Sequence, residues 1–268
     1  MSKYVYIGSL FNKQEKNMIA SSHAIHIADR ADRELTMRTL HEKLQELLNI
    51  ETTVFLATKQ KDGRKGCYES HVAVMKRALL KNPDKHALIF EDDAEFASDL
   101  SASLRYQLLF EALDFAKSHA FDVLFLGSFP NMFVANETVK VSKFQHIFKT
   151  NPSTTHAYIA SSSFMKRMTE RFQDFEGIAI DDFFKSNLIN TFALYPSIIL
   201  QSNSESDIAS PLASFVSKSG LKKFVWRCAE TFSTSISLSL KHILFIALSL
   251  CVLLYHISSF EPLEPLKR

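Results

Sequence analysis

Three consecutive carboxylates end an apolar segment of this sequence. The segment "HALIF" occupies residues 86–90, and Glu91, Asp92 and Asp93 follow it directly. Placing like charges together costs free energy unless a cation, a hydrogen-bond network or solvent offsets them. Two interpretations are open: a solvated turn in which Asp92 or Asp93 caps the next segment, or a site for a hard divalent cation such as Mg2+ or Mn2+.

A second acidic pair, Asp181 and Asp182, lies in "EGIAIDDFF". Two separate acidic groups allow a division of labour in which one holds metal and the other abstracts a proton. The pair could equally cap a helix that begins in front of "FFKSNLI".

Apolar segments that favour strands alternate along the chain with segments of helical periodicity. Strands are predicted at 23–28, 52–58, 86–90 and 121–128, and a further strand that runs into a helix at 154–172. Strands that alternate with helices indicate an α/β sheet, in which ligands bind beyond the carboxyl ends of the strands.

The loops that follow these strands carry complementary charge. The acidic cluster, "DRADR", "GRKGC" and "GSFPN" all lie at predicted carboxyl ends. Their convergence suits a metal-bridged pyrophosphate, because arginine pairs with phosphate oxygens and a cation neutralises the rest. The sequence contains neither G-x-x-x-x-G-K-[ST] nor G-x-G-x-x-G, which argues against a P-loop or a dinucleotide site.

Overall composition narrows the class of protein. A chain of 268 residues can bury one sizeable core, and 31 Lys and Arg against 29 Asp and Glu give no case for nucleic-acid binding. The three cysteines, Cys67, Cys228 and Cys251, favour a reducing compartment over a disulfide framework or a zinc site. The N-terminal apolar stretch is broken by charge too early for a secretory signal.

The C-terminal part differs in composition. "LKKFVWRCAETF" has a basic amphipathic pattern that suits an anionic membrane surface, or alternatively a terminal helix docked on the core. Its predicted apolar face consists of Leu221, Phe224, Val225, Cys228 and Phe232. "HILFIALSLCVLLYHISSF", at 242–260, is about 19 residues long and could span a bilayer. We expect a C-terminal membrane helix with the catalytic part on the cytoplasmic side.

Six segments in order resemble motifs of glycosyltransferase family 25, the lipooligosaccharide-biosynthesis and collagen-galactosyltransferase family. They are "IHIADRADR", "GCYESHVAVMKRAL", "ALIFEDDAEF", "THAYIAS", "IDDFF" and "YPSIILQ...SDI", which together span about residues 23–208. The opening strand departs from the family, since Ile27-Ala28 stands where Asn-Leu is usual.

The resemblance implies the GT-A architecture, a nucleotide-sugar-binding α/β fold with a mixed sheet flanked by helices, here with an added C-terminal apolar helix. With the composition of the C-terminal part, it predicts an N-terminal extension at 1–22, the catalytic domain at 23–210, the basic amphipathic linker at 211–241 and the membrane helix at 242–260. The implied activity is metal-dependent, inverting transfer of a hexose, with galactose from UDP-galactose the expected donor. The expected acceptor is a lipid-linked or surface glycan such as lipooligosaccharide.

By motif, the acidic cluster is similar to the D-x-D element of such enzymes. The resemblance makes Asp93 the direct ligand of Mn2+ or Mg2+, with Glu91 or Asp92 directed toward the ribose or a bound water. The side chains expected to line the nucleotide side are Asp29, Arg30, Arg33, Ser70 and His71.

The remaining assignments also follow from the resemblance. Asp181 or Asp182 is the expected base that deprotonates the acceptor hydroxyl. His156 is a candidate third metal ligand or acceptor contact, although a lone histidine beside a strand is more often structural. Asp207 is a further candidate ligand.

Two other functions remain open. One is a catalytically silent, membrane-tethered glycan-binding protein of the same fold, which the presence of all three carboxylates disfavours. The other is a different metal-dependent, nucleotide-using enzyme, such as a nucleotidyltransferase or phosphohydrolase.

Overall fold

The computed structural model describes residues 19–129, 139–140, 144–151, 153–186, 188–202 and 222–235. Its strands are β1 (Ile19–Ile27), β2 (Thr52–Ala57), β3 (His86–Glu91), β4 (Ala94–Phe96), β5 (Val123–Phe129), β6 (Val139–Lys140), β7 (Ile147–Lys149), β8 (Ser153–Ala160), β9 (Thr191–Leu194) and β10 (Ile199–Gln201). Its helices are α1 (Ala31–Leu48), α2 (Gly63–Lys81), α3 (Ala102–Ser118), α4 (Ser162–Arg171), α5 (Ile180–Phe184) and α6 (Lys222–Ser235).

These elements form an α/β fold with a mixed sheet flanked by helices. The strand order is β2-β1-β3-β8-β5-β9-β7-β6, in which β1 is parallel to β2 and β3 whereas β8 is antiparallel to both of its neighbours. Ala24 of β1 pairs with Val54 on one side and Phe90 on the other. The carboxyl ends of β1, β2 and β3 therefore meet at one edge of the sheet.

Strand β3 is apolar over residues 87–90 because helices cover both faces of the sheet. Leu88 and Phe90 face the core that contains α1 and α3. Ala87 and Ile89 point to the opposite face, where they pack with α2 and α4. The continuous apolar run thus reflects burial on both sides, and the strand delivers Glu91 at its end.

Most of the predicted elements are confirmed, with small shifts at their ends. The clearest error concerns the start of α2, since "GRKGC", at 63–67, was expected to lie in a loop. The helix begins at Gly63 because the Asp62 side chain accepts a hydrogen bond from the backbone N–H of Arg64 over 3.0 Å. An aspartate N-cap of this kind satisfies one of the unpaired amides at a helix start.

A second, two-stranded sheet follows the acidic turn, and we call it the β4–β10 ribbon. It lies close against β5 at Gly127. A Cβ atom at that position would come within 1.7 Å of the carbonyl oxygen of Ile199 and 2.6 Å of His156 Nε2. Only glycine permits this approach of β10 to β5.

Helix α6 packs against the core of the protein. The basic amphipathic segment thus forms a docked helix, which was the alternative to a helix on a membrane surface. Trp226, Ala229 and Glu230 are buried against the core, whereas Phe224 is 66% exposed. The predicted apolar face is therefore wrong at Phe224, because the docked face is set by ion pairs and by Trp226. Leu221 and the side chain of Phe232 lie outside the described part of the chain. Lys223 and Arg227 form ion pairs with Glu95 and Asp99, so these two charges are engaged within the fold.

None of the helices formed by the described residues is long and apolar enough to cross a membrane. The predicted membrane helix at 242–260 lies outside those residues. The domain limits proposed above remain predictions.

Candidate functional site

A cleft of about 230 Å³ lies at the edge of the sheet where β1, β2 and β3 end. The start of α2 and the end of β10 complete its walls. Its lining residues are Ile25, Ile27, Arg33, Ala57, Thr58, Lys59, Gln60, Lys61, Gly63, Gly66, Cys67, Ser70, His71, Glu91, Asp92, Asp93 and Gln201. The cleft thus combines cationic side chains with the acidic cluster.

The acidic turn is not solvated, so that interpretation of the sequence is wrong. Asp92 and Asp93 are each only 2% exposed. Asp92 and Asp93 form a short turn between β3 and β4, and the two carboxylates of this turn lie inside the protein. Buried carboxylates need internal partners, and the two residues differ in the partners they have.

Both oxygens of Asp92 are bound within the fold. Oδ1 accepts from Arg33 Nη1 over 2.7 Å. Oδ2 accepts from the backbone N–H of Ile27 over 3.0 Å and lies 2.9 Å from His26 Nδ1. Asp92 therefore ties the end of β3 to the end of β1 and to α1, and the geometry favours an anchoring role over contact with a ligand.

The two oxygens of Asp93 differ in the partners that the described residues offer them. Oδ2 accepts from Gln201 Nε2 over 2.9 Å and lies 3.4 Å from Arg33 Nη1. Oδ1 is buried and has no hydrogen-bond partner among the residues described. Burial, and next the neighbouring Glu91 carboxylate, raise the pKa of Asp93.

Glu91 is held by a buried network that begins at Tyr158. The Tyr158 hydroxyl lies 2.7 Å from His71 Nδ1, and His71 Nε2 lies 3.3 Å from Glu91 Oε1. Thr155 Oγ1 donates to the same carboxylate oxygen over 2.7 Å. Burial acts to raise the pKa of Glu91, but the hydrogen bond and charge of His71 and the Thr155 hydroxyl outweigh it and lower that pKa.

Cys67, His71 and Glu91 also lie together, with one ligand atom from each within 4.8 Å of the others. This proximity was not expected from the cysteine spacing. Both ring nitrogens of His71 are already engaged by Tyr158 and Glu91. Burial, followed by the charges of Glu91 and Asp181, raises the pKa of the Cys67 thiol, which disfavours the thiolate form that binds metals. The trio is therefore better described as part of the Glu91 network.

The residues predicted for the nucleotide side are divided between the cleft and the surface. Arg33, Ser70 and His71 line the cleft, and the Ser70 hydroxyl donates to the carbonyl of Gly66 over 2.6 Å. Asp29 is exposed, and Arg30 pairs with Asp32 over 2.8 Å. Neither Asp29 nor Arg30 is among the lining residues.

Several functional candidates were missed at the sequence level. Lys59 and Lys61 line the cleft from the loop after β2, where the polar sequence did signal a ligand-facing loop. Gln201 and Thr155 contact the acidic cluster across 108 and 64 residues of chain. No local pattern indicates such long-range contacts.

The acidic pair at the start of α5 does not cap that helix. The N-cap residue is Ala179, and no side chain makes the cap hydrogen bond. The Asp182 side chain is 62% exposed and accepts from Lys185 Nζ over 2.8 Å, whereas the Asp181 side chain is 36% exposed. The charge of Asp181 acts on Cys67, a lining residue of the cleft. Of the pair, Asp181 is thus the one near the site.

His156 does not line the cleft. Its Nε2 lies 3.2 Å from the carbonyl oxygen of Ile199, and its Nδ1 lies 3.2 Å from Thr154 Oγ1. The ring is fully buried and packs edge-on against Trp226. These contacts favour the structural role over metal ligation. Asp207, the other candidate ligand, lies outside the described residues.

The sequence is similar to that of a known family. The model of glycosyltransferase family 25, described as LPS biosynthesis protein, matches residues 8–184. No curated protein matches the chain.

Two solved structures show a weak likeness. The crystal structure of A197 from STIV has a TM-score of 0.41 and 12% sequence identity, over 67% of this chain and 83% of that chain. The crystal structure of a glycosyltransferase involved in the glycosylation of the major capsid of PBCV-1 has a TM-score of 0.40 and 6% identity, over 68% of this chain and 93% of that chain.

Proposed function

This chain belongs to glycosyltransferase family 25, and from that premise we propose that it is a metal-dependent, inverting hexosyltransferase of GT-A type. Membership of the family implies a nucleotide sugar and a glycan acceptor. UDP-galactose is the expected donor, and a lipid-linked or surface glycan such as lipooligosaccharide is the expected acceptor.

The observation that carries the proposal is the buried carboxylate of Asp93. Its Oδ1 has no hydrogen-bond partner among the described residues, and burying a charged oxygen without a partner is costly. Glu91 is held through Oε1 by Thr155 and His71. These oxygen donors suit Mn2+ or Mg2+, so Asp93, with Glu91 beside it, would hold the cation. When bound, such a cation supplies Lewis-acid stabilisation of a departing diphosphate.

Cationic side chains in the cleft suit the donor diphosphate. Arg33, Lys59 and Lys61 line it together with the acidic turn. Arginine and lysine both pair with phosphate oxygens, and Arg33 is held rigidly by Asp92. We assign these three side chains to donor binding, with the apolar Ile27 and Ala57 at the ends of β1 and β2 beside them.

The transfer step requires a base on the acceptor side. The acceptor oxygen forms a bond to the anomeric carbon, the bond from that carbon to the diphosphate oxygen breaks, and the acceptor proton passes to a carboxylate. Asp181 is the better candidate of its pair because Lys185 holds the exposed Asp182 more closely. Asp181 also acts electrostatically on the cleft residue Cys67.

We further propose that the chain works at a membrane, with the catalytic part on the cytoplasmic side. The support is the apolar segment 242–260 and the Lys and Arg residues before it. A membrane position would bring the cleft to a lipid-linked acceptor.

A donor screen tests the activity directly. Purified protein is incubated with UDP-sugars, with and without Mn2+, and release of UDP is measured. We expect release from UDP-galactose that depends on the metal. Cleavage of nucleoside triphosphates in place of UDP-sugars would support the other metal-dependent enzyme, and binding of glycans with no turnover would support the silent binding protein.

A further inference from the structure

Asp93 is held in place by a strand that is distant in sequence. Gln201, the last residue of β10, donates from Nε2 to Asp93 Oδ2 over 2.9 Å. The backbone N–H of Ser202 donates to the carbonyl oxygen of Asp93 over 2.7 Å. One contact acts on the side chain and the other on the backbone, so together they fix both the position and the orientation of the carboxylate.

The strand that carries Gln201 depends on other elements for its own position. β10 pairs over three residues with β4 in the β4–β10 ribbon. A two-stranded ribbon of this size is marginally stable in water unless another element covers it. Helix α6 supplies that cover, because Trp226 packs with Ala97 and Leu200 in a small apolar cluster.

Polar contacts also join α6 to the segments that flank the ribbon. Arg227 donates to both oxygens of Asp99 over 2.6 and 3.1 Å. The buried carboxylate of Glu230 accepts from the backbone N–H of Ser197 over 2.9 Å and from Arg227 Nη1 over 2.7 Å. Asp99 follows β4 and Ser197 precedes β10, so α6 holds the ribbon from both sides.

We propose that Gln201 is a positioning residue of the cation site and that α6 keeps it in place. The inference rests on the proposed function, in which Asp93 binds the cation. Gln201 occupies Oδ2 and thereby leaves Oδ1 as the oxygen available to a cation. Substitution of a residue that orients a ligating side chain commonly weakens metal binding by about 10–100-fold. Helix α6 lies beyond residue 184, where the family match ends, whereas Gln201 is the last residue of "YPSIILQ", one of the segments that resemble the family.

The first test measures Mn2+ binding to the full chain without donor, from the electron paramagnetic resonance signal of free Mn2+. We expect Gln201→Leu to weaken binding about 10-fold, whereas Gln173→Leu, a surface glutamine bound to Lys76, binds as wild type does. With UDP-galactose, the turnover number of Gln201→Leu should approach that of wild type at saturating Mn2+. Unchanged Mn2+ affinity in Gln201→Leu would overturn the proposal, even if the variant were less stable.

The second test uses Trp226, the single tryptophan of the chain, as a reporter of α6 docking. Arg227→Gln removes the charge that joins α6 to Asp99, and we expect a red-shifted emission together with several-fold weaker Mn2+ binding. Thr231→Val on the same helix should change neither. Undocking of α6 with full Mn2+ affinity would overturn the role of the helix.

These outcomes distinguish a failure of the role proposed for Gln201 from a failure of the proposed transferase activity. Wild-type protein that binds Mn2+ through Gln201-dependent geometry but transfers no sugar would refute the transferase proposal alone. Transfer that needs Mn2+, with Gln201→Leu unchanged in Mn2+ affinity, would refute the inference alone. A wild-type chain that binds no Mn2+ would refute both.

Discussion

Arg33 and Asp92 form a buried ion pair, with 2.7 Å between Nη1 and Oδ1 and side chains that are 6% and 3% exposed. The second oxygen of Asp92 is bound by the end of β1. The adjacent carboxylates therefore have different roles. Both oxygens of Asp92 are bound within the protein, whereas Asp93 Oδ1 has no hydrogen-bond partner in the described part of the chain.

Asp92→Asn should lower the free energy of unfolding by about 3 kcal/mol, because it removes the closer of the two carboxylates that pair with the buried Arg33, at 2.7 Å against 3.4 Å for Asp93. Urea unfolding followed by circular dichroism measures this change. Glu34→Gln, which breaks the exposed pair with Arg38, serves as a control and should leave the midpoint nearly unchanged. Equal midpoints for the two variants would contradict the anchoring role.

Asp93→Asn should reduce transfer by about a hundredfold or more while the fold stays intact, since the cation loses a charged ligand and the side chain keeps its volume. Thermal unfolding and UDP release measure the two effects. Full activity of this variant in EDTA-treated buffer would refute the assignment of Asp93 as a metal ligand.

Asp181→Asn should lower the turnover number by about 10²- to 10⁴-fold with little change in the KM for donor, because only the transition state uses the base. Asp182→Asn is the matched control and should stay near wild type, as its carboxylate is exposed and paired with Lys185. Steady-state kinetics distinguish them. If both variants retain normal turnover, the base lies elsewhere and Asp207 is the next residue to test.

The contributions of His23 and His41 to stability should fall as the pH drops from about 6.5 to about 4. Burial lowers the pKa of His41 to about 4, and burial with the charges of Lys81 and Arg77 does the same for His23. The unfolded chain protonates these rings near pH 6.5, so it binds more protons than the folded state within this window and acid favours it.

Urea midpoints at pH 7 and pH 5 measure this effect. His23→Phe keeps a similar ring but cannot titrate, so its midpoint should change less between the two pH values than that of wild type. An equal change in the two proteins would show that His23 does not contribute.

Full-length protein should sediment with membranes and need detergent for release. A chain shortened after Ser235 keeps α6 and should remain in the supernatant with its UDP-galactose activity. A chain shortened at Ser217 lacks α6 and should bind Mn2+ less well. Release of the full-length protein by high salt alone would indicate surface attachment in place of a spanning helix.

The elements that could be predicted from the sequence are those whose residues form a local pattern of apolar and polar side chains. The apolar run of β3 and the carboxylates after it were found because both follow directly from residue order. The start of α2 was misplaced because Asp62 caps a segment whose glycines suggested a loop. The exposed Phe224 shows the limit of periodicity, since Trp226 and the buried Glu230 determine which face of α6 docks.

The sequence indicated the acidic turn of the candidate cleft, but it did not indicate most of the residues that hold this turn in place. Thr155 and Gln201 contact the acidic cluster from strands β8 and β10, and Tyr158 of β8 acts on it through His71. The positions of these residues depend on strand order. A sequence shows which strands exist but not which become neighbours. The burial of the Asp92 side chain could likewise not be predicted from the sequence, because it depends on where Arg33 lies in the folded chain.

The separation of Asp93 from Gln201 by 108 residues affects when the protein becomes competent during its synthesis. At roughly 5–20 residues per second, a ribosome needs about 5 to 20 s to pass from one residue to the other. Strands β1, β2 and β3 emerge first and can pair early, because the chain between them is short. A nascent chain can therefore contain the paired strands β1, β2 and β3 while its acidic turn still lacks the contact from β10, and the cleft is completed only after Gln201 has been synthesised.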